Sequence, residues 1–96
     1  MKILAFEVEK TGLCAADFAP YLKDEAHRAW ELQQAGVIRE LYFRADQHTA
    51  VLMLDCPTLA DAQAALNTLP LVERGLITFD LMPLIPYDGF ARLFAE

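Results

Sequence analysis

The sequence predicts a single α+β domain in which two helices cover one face of a four-stranded antiparallel sheet. Three observations support this prediction. The chain has 96 residues and 55% hydrophobic content, which suits one folded domain with its own core. The spacing of the hydrophobic residues predicts elements in the order strand, helix, strand, strand, helix, strand. Residues 36–56 are typical of a hairpin at the centre of that order. A split βαβ unit repeated in this way gives the ferredoxin-like arrangement βαββαβ.

The first strand is predicted at Lys2 to Glu9, where Ile3, Ala5 and Glu7 share one side. The first helix is predicted from Asp17 to Ala35. Asp17 would be its N-cap, with Pro20 in the first turn and Gly36 as the left-handed C-terminal cap. Residues at helical spacing predict a buried stripe: Phe18, Leu22, Ala26, Ala29, and Leu32 or Gln33.

A two-residue turn at Asp46 and Gln47 fixes the predicted register of the central hairpin. Because side chains alternate along a strand, this register separates two faces. The face toward the helices would hold Val37, Arg39, Leu41, Phe43, Ala50, Leu52 and Leu54. The opposite face would hold Ile38, Glu40, Tyr42, Arg44, Thr49, Val51 and Met53. That second face is too apolar for an ordinary solvated surface, which indicates a partner or a ligand.

The remaining elements follow the hairpin. The second helix is predicted over Thr58 to Thr68, with Thr58 as its N-cap and Asp61 completing an acidic capping box. The fourth strand is predicted at Ile77 to Leu84, and Pro83 near its end suits a strand end or an edge. The chain is therefore expected to be one domain over 1–96 that ends in a short docking tail, from about 86 to 96.

The tail and the uncovered sheet face both predict contacts beyond one domain. Phe90, Leu93 and Phe94 are unusually apolar for a terminus, so the tail is expected to dock, on its own domain or on a neighbour. The helices cover one face of the sheet only. A second copy of the chain, related by a two-fold axis, is the simplest cover for the other face.

Charge and cysteine content exclude several classes of protein. A net charge of −6 and a pI near 4.7 argue against nucleic-acid and anionic-membrane partners. Cys14 and Cys56 form no CxxC pair or zinc motif, so two buried thiols in a reducing cytoplasm are expected. The short apolar run at the N-terminus resembles neither a signal peptide nor a membrane span.

Several short segments resemble the muconolactone isomerase family in their order and spacing. They are E-x6-L-Q-x2-G from Glu25 to Gly36, then Arg39, Leu41 and Tyr42, then Asp55, the tripeptide Leu69-Pro70-Leu71, and P-L-x-P from Pro83 to Pro86. The resemblance runs over most of the chain with little gapping.

The resemblance implies a dimeric α/β barrel in which two sheets face one another. It also implies a cofactor-free pocket between sheet and helices, and a proton shift on a small unsaturated lactone acid in aromatic breakdown. Ala50 and Val51 depart from the family's polar and aromatic residues at those positions, and residues 72–75 add a charged segment. An isomerase-like protein with its own substrate, or none, is therefore expected.

A proton shift needs a base close to a group that stabilises an enolate. His48 at the hairpin mouth is the first candidate, because histidine titrates near neutral pH. Glu7 is the second candidate, because burial would raise its pKa. The alternatives are a partly exposed turn histidine and a solvated strand end.

Five further residues are candidates for substrate binding. Tyr42 and Arg44 could meet a carboxylate-bearing ligand, although a Glu40–Arg44 pair between subunits is the alternative. Arg39 is expected to point toward the helices and either pair with Glu25 or bind an anion. Trp30 could be a stacking platform or a core or interface anchor.

Three functions remain open at the level of sequence. The first is a small cofactor-free isomerase-like enzyme that acts on a small organic acid or lactone. The second is a cofactor-free monooxygenase built on the same barrel, by analogy of fold alone. The third is a non-catalytic module for small-molecule binding or oligomerisation. No nucleotide, nucleophile-elbow or metal motif occurs in the sequence, so no cofactor or metal is expected.

Overall fold

A computed structural model describes residues 1–95 and contains four strands and four α-helices. In chain order they are β1 (Lys2–Glu9), α1 (Ala15–Phe18), α2 (Leu22–Gln34), β2 (Ile38–Phe43), β3 (Ala50–Asp55), α3 (Leu59–Leu66), α4 (Pro70–Glu73) and β4 (Ile77–Leu84). Short 3-10 segments lie at Ala19–Tyr21 and Gly89–Phe94. Glu96, the last residue of the predicted tail, lies outside the described part.

The four strands form one antiparallel sheet in the order β2-β3-β1-β4. This confirms the predicted ferredoxin-like fold class. One face of the sheet packs against the helices, and the buried core is shared between them. Its members are Ile3, Ala5, Leu32, Ile38, Leu52, Leu54, Cys56, Ala62, Leu66, Leu69, Leu71, Ile77 and Phe79.

A β-bulge in β2 corrects the predicted faces of the hairpin. The pairs Phe43–Ala50 through Glu40–Met53 are as expected, but Ile38 then pairs with Leu54. Arg39 is the extra residue at this irregularity, so it does not oppose Leu54. The bulge moves Ile38 from the predicted open face to the helix face, where it is only 1% exposed.

The hairpin loop is longer than the predicted two-residue turn. The Arg44 N–H donates to the Thr49 carbonyl at 2.8 Å, and the His48 N–H donates to the Arg44 carbonyl at 2.9 Å. Four residues therefore make the loop, and its last residue, His48, has a positive φ of 53°. The centre of the loop still lies between Asp46 and Gln47, which is why most of the register was predictable.

The first helix begins earlier than predicted and is interrupted. Cys14 is the N-cap of α1, and its N–H donates to the carboxylate of Asp17 at 2.7 Å. Asp17 is therefore not the N-cap. It lies in the first turn of α1, and its carboxylate caps the helix by accepting the N–H of Cys14. At the N-cap position Cys14 is exposed, so the prediction of two buried thiols holds for Cys56 only. The 3-10 segment contains Pro20, and α2 follows it up to the left-handed Gly36.

Thr58 is the N-cap of α3, as predicted, because its hydroxyl accepts the Asp61 N–H at 3.1 Å. The helix ends at Leu66, and the separate short helix α4 then begins with Pro70 at its first position. The sequence prediction missed α4. The N–H of the first residue of a helix has no acceptor within that helix, so the helix loses no hydrogen bond when proline stands there. Proline therefore suits the start of a helix as well as the residue after its end.

The second face of the sheet is open. It carries apolar side chains from all four strands: Leu4, Phe6, Val8, Tyr42, Val51, Met53, Met82 and Leu84. The tail also projects, since Phe90, Leu93 and Phe94 are between 66% and 85% exposed. The chain measures 60 × 28 × 20 Å. No helix within residues 1–95 has the length and apolar character that a membrane crossing needs.

Candidate functional site

A cavity of about 730 Å³ lies between the helix-facing side of the sheet and the α1–α2 segment. Its sheet wall comes from the end of β1, the last residues of β2 and the first residues of β3, with Phe79 from β4. Small-molecule sites typically have a volume of about 300–1,000 Å³ and mostly apolar walls with a few polar groups. This cavity has both properties.

The stripe predicted to be buried along the first helix forms much of the cavity wall. Leu22 is 51% exposed, and Ala26 and Ala29 also line the cavity. Only Leu32, at the far end of the stripe, is fully buried. The two alanines are too short to fill the space between α2 and the sheet. An apolar helix face with small side chains therefore creates a pocket here.

Glu7 brings a carboxylate into this apolar wall. It lies on the same side of β1 as the buried Ile3 and Ala5, but beyond Phe6, where the pairing of β1 with β3 ends. Its Oε1 accepts the Ala50 N–H at 3.4 Å. Burial raises the pKa of Glu7, and the charges of Glu9 and Glu25 raise it further, while the Ala50 hydrogen bond opposes the shift.

Glu25 brings a second carboxylate from α2. Its Oε1 accepts the Leu71 N–H at 2.9 Å, at the start of α4. Burial raises the pKa of Glu25, and the Leu71 hydrogen bond partly offsets that rise. The cavity therefore holds two half-buried carboxyl groups on opposite walls, and each carboxylate is oriented by one backbone donor.

Aromatic and histidine side chains surround the mouth. The His48 ring stacks on Phe43 with 4.2 Å between centroids. Trp30 lines the cavity from α2 while remaining 57% exposed. Tyr42, on the edge strand β2, also lines the cavity, although its side chain belongs to the open face of the sheet. Its hydroxyl donates to the Glu40 carboxylate at 2.7 Å. That hydrogen bond raises the pKa of Tyr42.

Two solved structures resemble this one. Muconolactone isomerase superposes with a TM-score of 0.75 at 20% sequence identity, over 93% of this chain and 93% of that chain. This chain has a muconolactone isomerase-like fold. The 5-chloro-2-hydroxyhydroquinone dehydrochlorinase of Burkholderia phenoliruptrix, solved with 2,5-dihydroxybenzoquinone, superposes with a TM-score of 0.63 at 11% identity, over 93% of this chain and 98% of that chain. Neither a protein-family model nor a curated protein matches the chain.

On this muconolactone isomerase-like fold, five of the seven predicted site residues line one cavity: Glu7, Glu25, Trp30, Tyr42 and His48. Arg39 does not. The bulge turns it away from the helices, it is exposed, and its guanidinium lies 3.7 Å from the Asp55 carboxylate. The prediction that Arg39 lies beneath the helix and pairs with Glu25 is therefore wrong.

Arg44 also lies away from the cavity. Its guanidinium donates two hydrogen bonds to Asp46 within the hairpin loop, at 3.0 and 2.6 Å. The pair raises the pKa of Arg44 and lowers that of Asp46. Within the chain, Arg44 is thus tied to Asp46, and Glu40 bonds Tyr42 instead of Arg44.

The lining residues that sequence reasoning did not name as site members include Glu9, Phe18, Gln33 and Phe79. Gln33 could have been found from the sequence, because it lies on the same helix face as Ala26 and Ala29. A polar residue on that face indicates that the face is not fully buried. Phe79 carried none, since a buried strand aromatic is ordinary core. Within residues 1–95, no group of three or more His, Cys, Asp or Glu is placed to hold a metal ion.

Proposed function

We propose that this chain is a small cofactor-free enzyme that moves a proton on a small unsaturated cyclic compound, an organic acid or a lactone. One observation carries the proposal. Glu7 and Glu25 are half-buried in the same apolar cavity, and both have raised pKa values. Perturbed carboxyl groups gathered in a cleft are typical of acid–base sites.

A pair of such groups suits an allylic proton shift. One carboxylate removes a proton from a carbon next to a carbonyl group, and the electrons of the broken C–H bond delocalise into a dienolate. A proton returned at the far carbon shifts the double bond, so the product is an isomer of the substrate. A raised pKa lets a glutamate hold and release this proton closer to neutral pH than an exposed one does.

The other lining residues supply positioning in this scheme. The second carboxyl group, when protonated, can donate to the carbonyl oxygen on which negative charge develops. Trp30, Phe43 and the His48 ring stacked on it offer flat apolar surfaces to a ring compound. His48 remains the alternative base, because it lies at the same mouth.

Proton exchange with solvent tests the proposal directly. A thermal-shift screen of small lactones and unsaturated cyclic compounds selects ligands. Each ligand is then incubated with protein in heavy water, and deuterium in its carbon positions is followed by NMR. We expect exchange at one allylic carbon, and a fall of about 100-fold or more in the Glu7→Gln or Glu25→Gln variant.

The control is Glu73→Gln, which removes an exposed carboxylate on α4 and should leave exchange unchanged. Exchange that survives in both cavity variants but is lost in His48→Gln would make His48 the base. Oxygen consumption with a quinol would favour a monooxygenase. Ligand binding with neither exchange nor oxygen uptake would favour a binding module.

We also propose that the working form is a homodimer or a larger homo-oligomer. The apolar open face supports this, because apolar patches of that extent usually mark an interface. Cytoplasmic location is proposed as well, supported by the free thiols of Cys14 and Cys56. Fractionation of the source cells with an antibody to the chain would check the location.

A further inference from the structure

The charges around the cavity all have one sign. Glu7, Glu9 and Glu25 line it, and none of the eight Lys and Arg side chains of the chain does. All eight belong to residues 1–95. His48, at the mouth, is the one lining residue that can become positively charged.

The two arginines beside the helices, Arg28 and Arg74, make contacts elsewhere. Arg28 on α2 donates to the Thr68 hydroxyl at 2.8 Å and to Glu31 at 3.4 Å. Arg74, after α4, lies over the Tyr21 ring, 5.2 Å from its centroid. Neither guanidinium is free to turn into the cavity without giving up these contacts.

Carboxylates of the protein already engage some of the backbone donors around the cavity. The Ala50 N–H is taken by Glu7, and the Leu71 N–H by Glu25. The amide of Cys14, the N-cap of α1, is taken by Asp17. In each case a carboxylate of the protein, and not a ligand, accepts from the backbone amide.

From these contacts we infer that the cavity, as the site of the function proposed above, binds an uncharged ring compound carrying hydroxyl or carbonyl groups and rejects carboxylates. A neutral hydroxyl can donate to an ionised Glu7 or Glu25, and a carbonyl can accept from a protonated one. A ligand carboxylate meets like charges without a lining Lys or Arg side chain to offset its desolvation. The inference therefore narrows the proposed substrates to lactones and other uncharged ring compounds, and it excludes organic acids.

A matched pair of ligands tests this inference. Methyl para-hydroxybenzoate and para-hydroxybenzoate differ at one group, which is a neutral methyl ester in the first and a charged carboxylate in the second. Their affinities are measured at neutral pH by calorimetry and by fluorescence of Trp30, the single tryptophan of the chain. We expect the ester to bind at least about tenfold more tightly than the acid.

Variants show whether the cavity carboxylates cause the difference. In the Glu7→Gln/Glu25→Gln protein the preference for the ester should shrink severalfold, whereas Glu73→Gln should keep it. If the double variant does not fold, the single variants should each give a smaller reduction. An acid that binds as tightly as the ester, a preference unchanged by these variants, or no binding of either compound would overturn the inference.

The outcome is separate from that of the proton-transfer proposal, because binding is measured without turnover. Preference for the ester with no deuterium exchange on any ligand would refute the proposed reaction and leave the inference standing. Deuterium exchange on a tightly bound carboxylate would support the proposed reaction and refute the inference.

Discussion

At the scale of single residues, the raised pKa values of Glu7 and Glu25 link the site to stability. A carboxyl group with a raised pKa binds its proton more tightly in the folded chain than in the unfolded one. Its favourable contribution is present below the usual pKa of 4.5 and is lost as the pH rises through the folded-state value. Charged glutamates in the cavity therefore cost stability at neutral pH.

Replacing Glu7 with glutamine should remove this cost. The amide stays neutral, and its oxygen can still accept the Ala50 N–H that Glu7 accepts. We expect Glu7→Gln to melt at a higher temperature than the original protein at neutral pH. The difference should vanish near about pH 4, where both side chains are neutral.

Thermal unfolding of both proteins across this pH range measures the effect. The Glu73→Gln protein is the control, because its carboxylate is exposed on α4. A Glu7→Gln protein that is less stable than the original at every pH would show that the ionised carboxylate contributes more through its hydrogen bond than it loses through burial.

At the scale of elements, the face of α2 with small residues decides whether a cavity exists. Ala29 lies in this face, partly buried against the core. Replacing Ala29 with leucine would place three more carbons in the cavity, each worth about 0.8 kcal/mol if fully buried. We expect an unchanged or slightly higher melting temperature and at least a tenfold loss of ligand affinity.

Ala64→Leu on the exposed side of α3 is the matched control, and it should leave ligand affinity unchanged. Ligand affinity in Ala29→Leu equal to that of the original protein would show that the ligand binds elsewhere. A fall of many degrees in melting temperature would show that no usable space exists beside Ala29.

The element scale also shows what the sequence can predict. β1 and β4 have the predicted bounds, because their alternation is regular and both pair along their whole length. The bulge at Arg39 was not predictable, since no glycine or charge pattern marks it, and it alone transferred Ile38 to the other face. The two cavity glutamates were predicted as candidates, but only the structure shows that they share one space.

At the scale of the whole molecule, the open face predicts assembly. Val51 is at its centre, because it pairs with Phe6 on one side and Tyr42 on the other. A Val51→Glu variant would place a charge in the middle of the proposed sheet-to-sheet contact. We expect it to be monomeric at micromolar concentration in analytical ultracentrifugation, where the original protein is at least a dimer.

Ala64→Glu, on the helix side of the molecule, controls for the added charge and should stay assembled. A folded original protein that sediments as a monomer throughout this range would contradict the proposed homodimer. A Val51→Glu protein that remains a dimer would place the interface on another surface.

The tail gives the last prediction. β4 ends with Leu84 beside Lys2, at the end of the sheet away from the cavity, and no tail residue within residues 1–95 lines that cavity. The radius of gyration is 15.9 Å, against about 12–13 Å for a compact chain of this length. Of the two docking partners left open by the sequence, we therefore predict that the tail contacts a second copy of the chain and not its own domain.

Changing Phe90, Leu93 and Phe94 together to serine tests this choice, because these side chains are exposed in the single chain. If they dock on a second copy, the dissociation constant of the assembly should rise at least tenfold, while the melting temperature at low concentration stays the same. A lower melting temperature at unchanged assembly would mean that the tail packs on its own domain after all. Ala91→Ser, in the same segment, is the control, since it changes a small exposed side chain and should alter neither measurement.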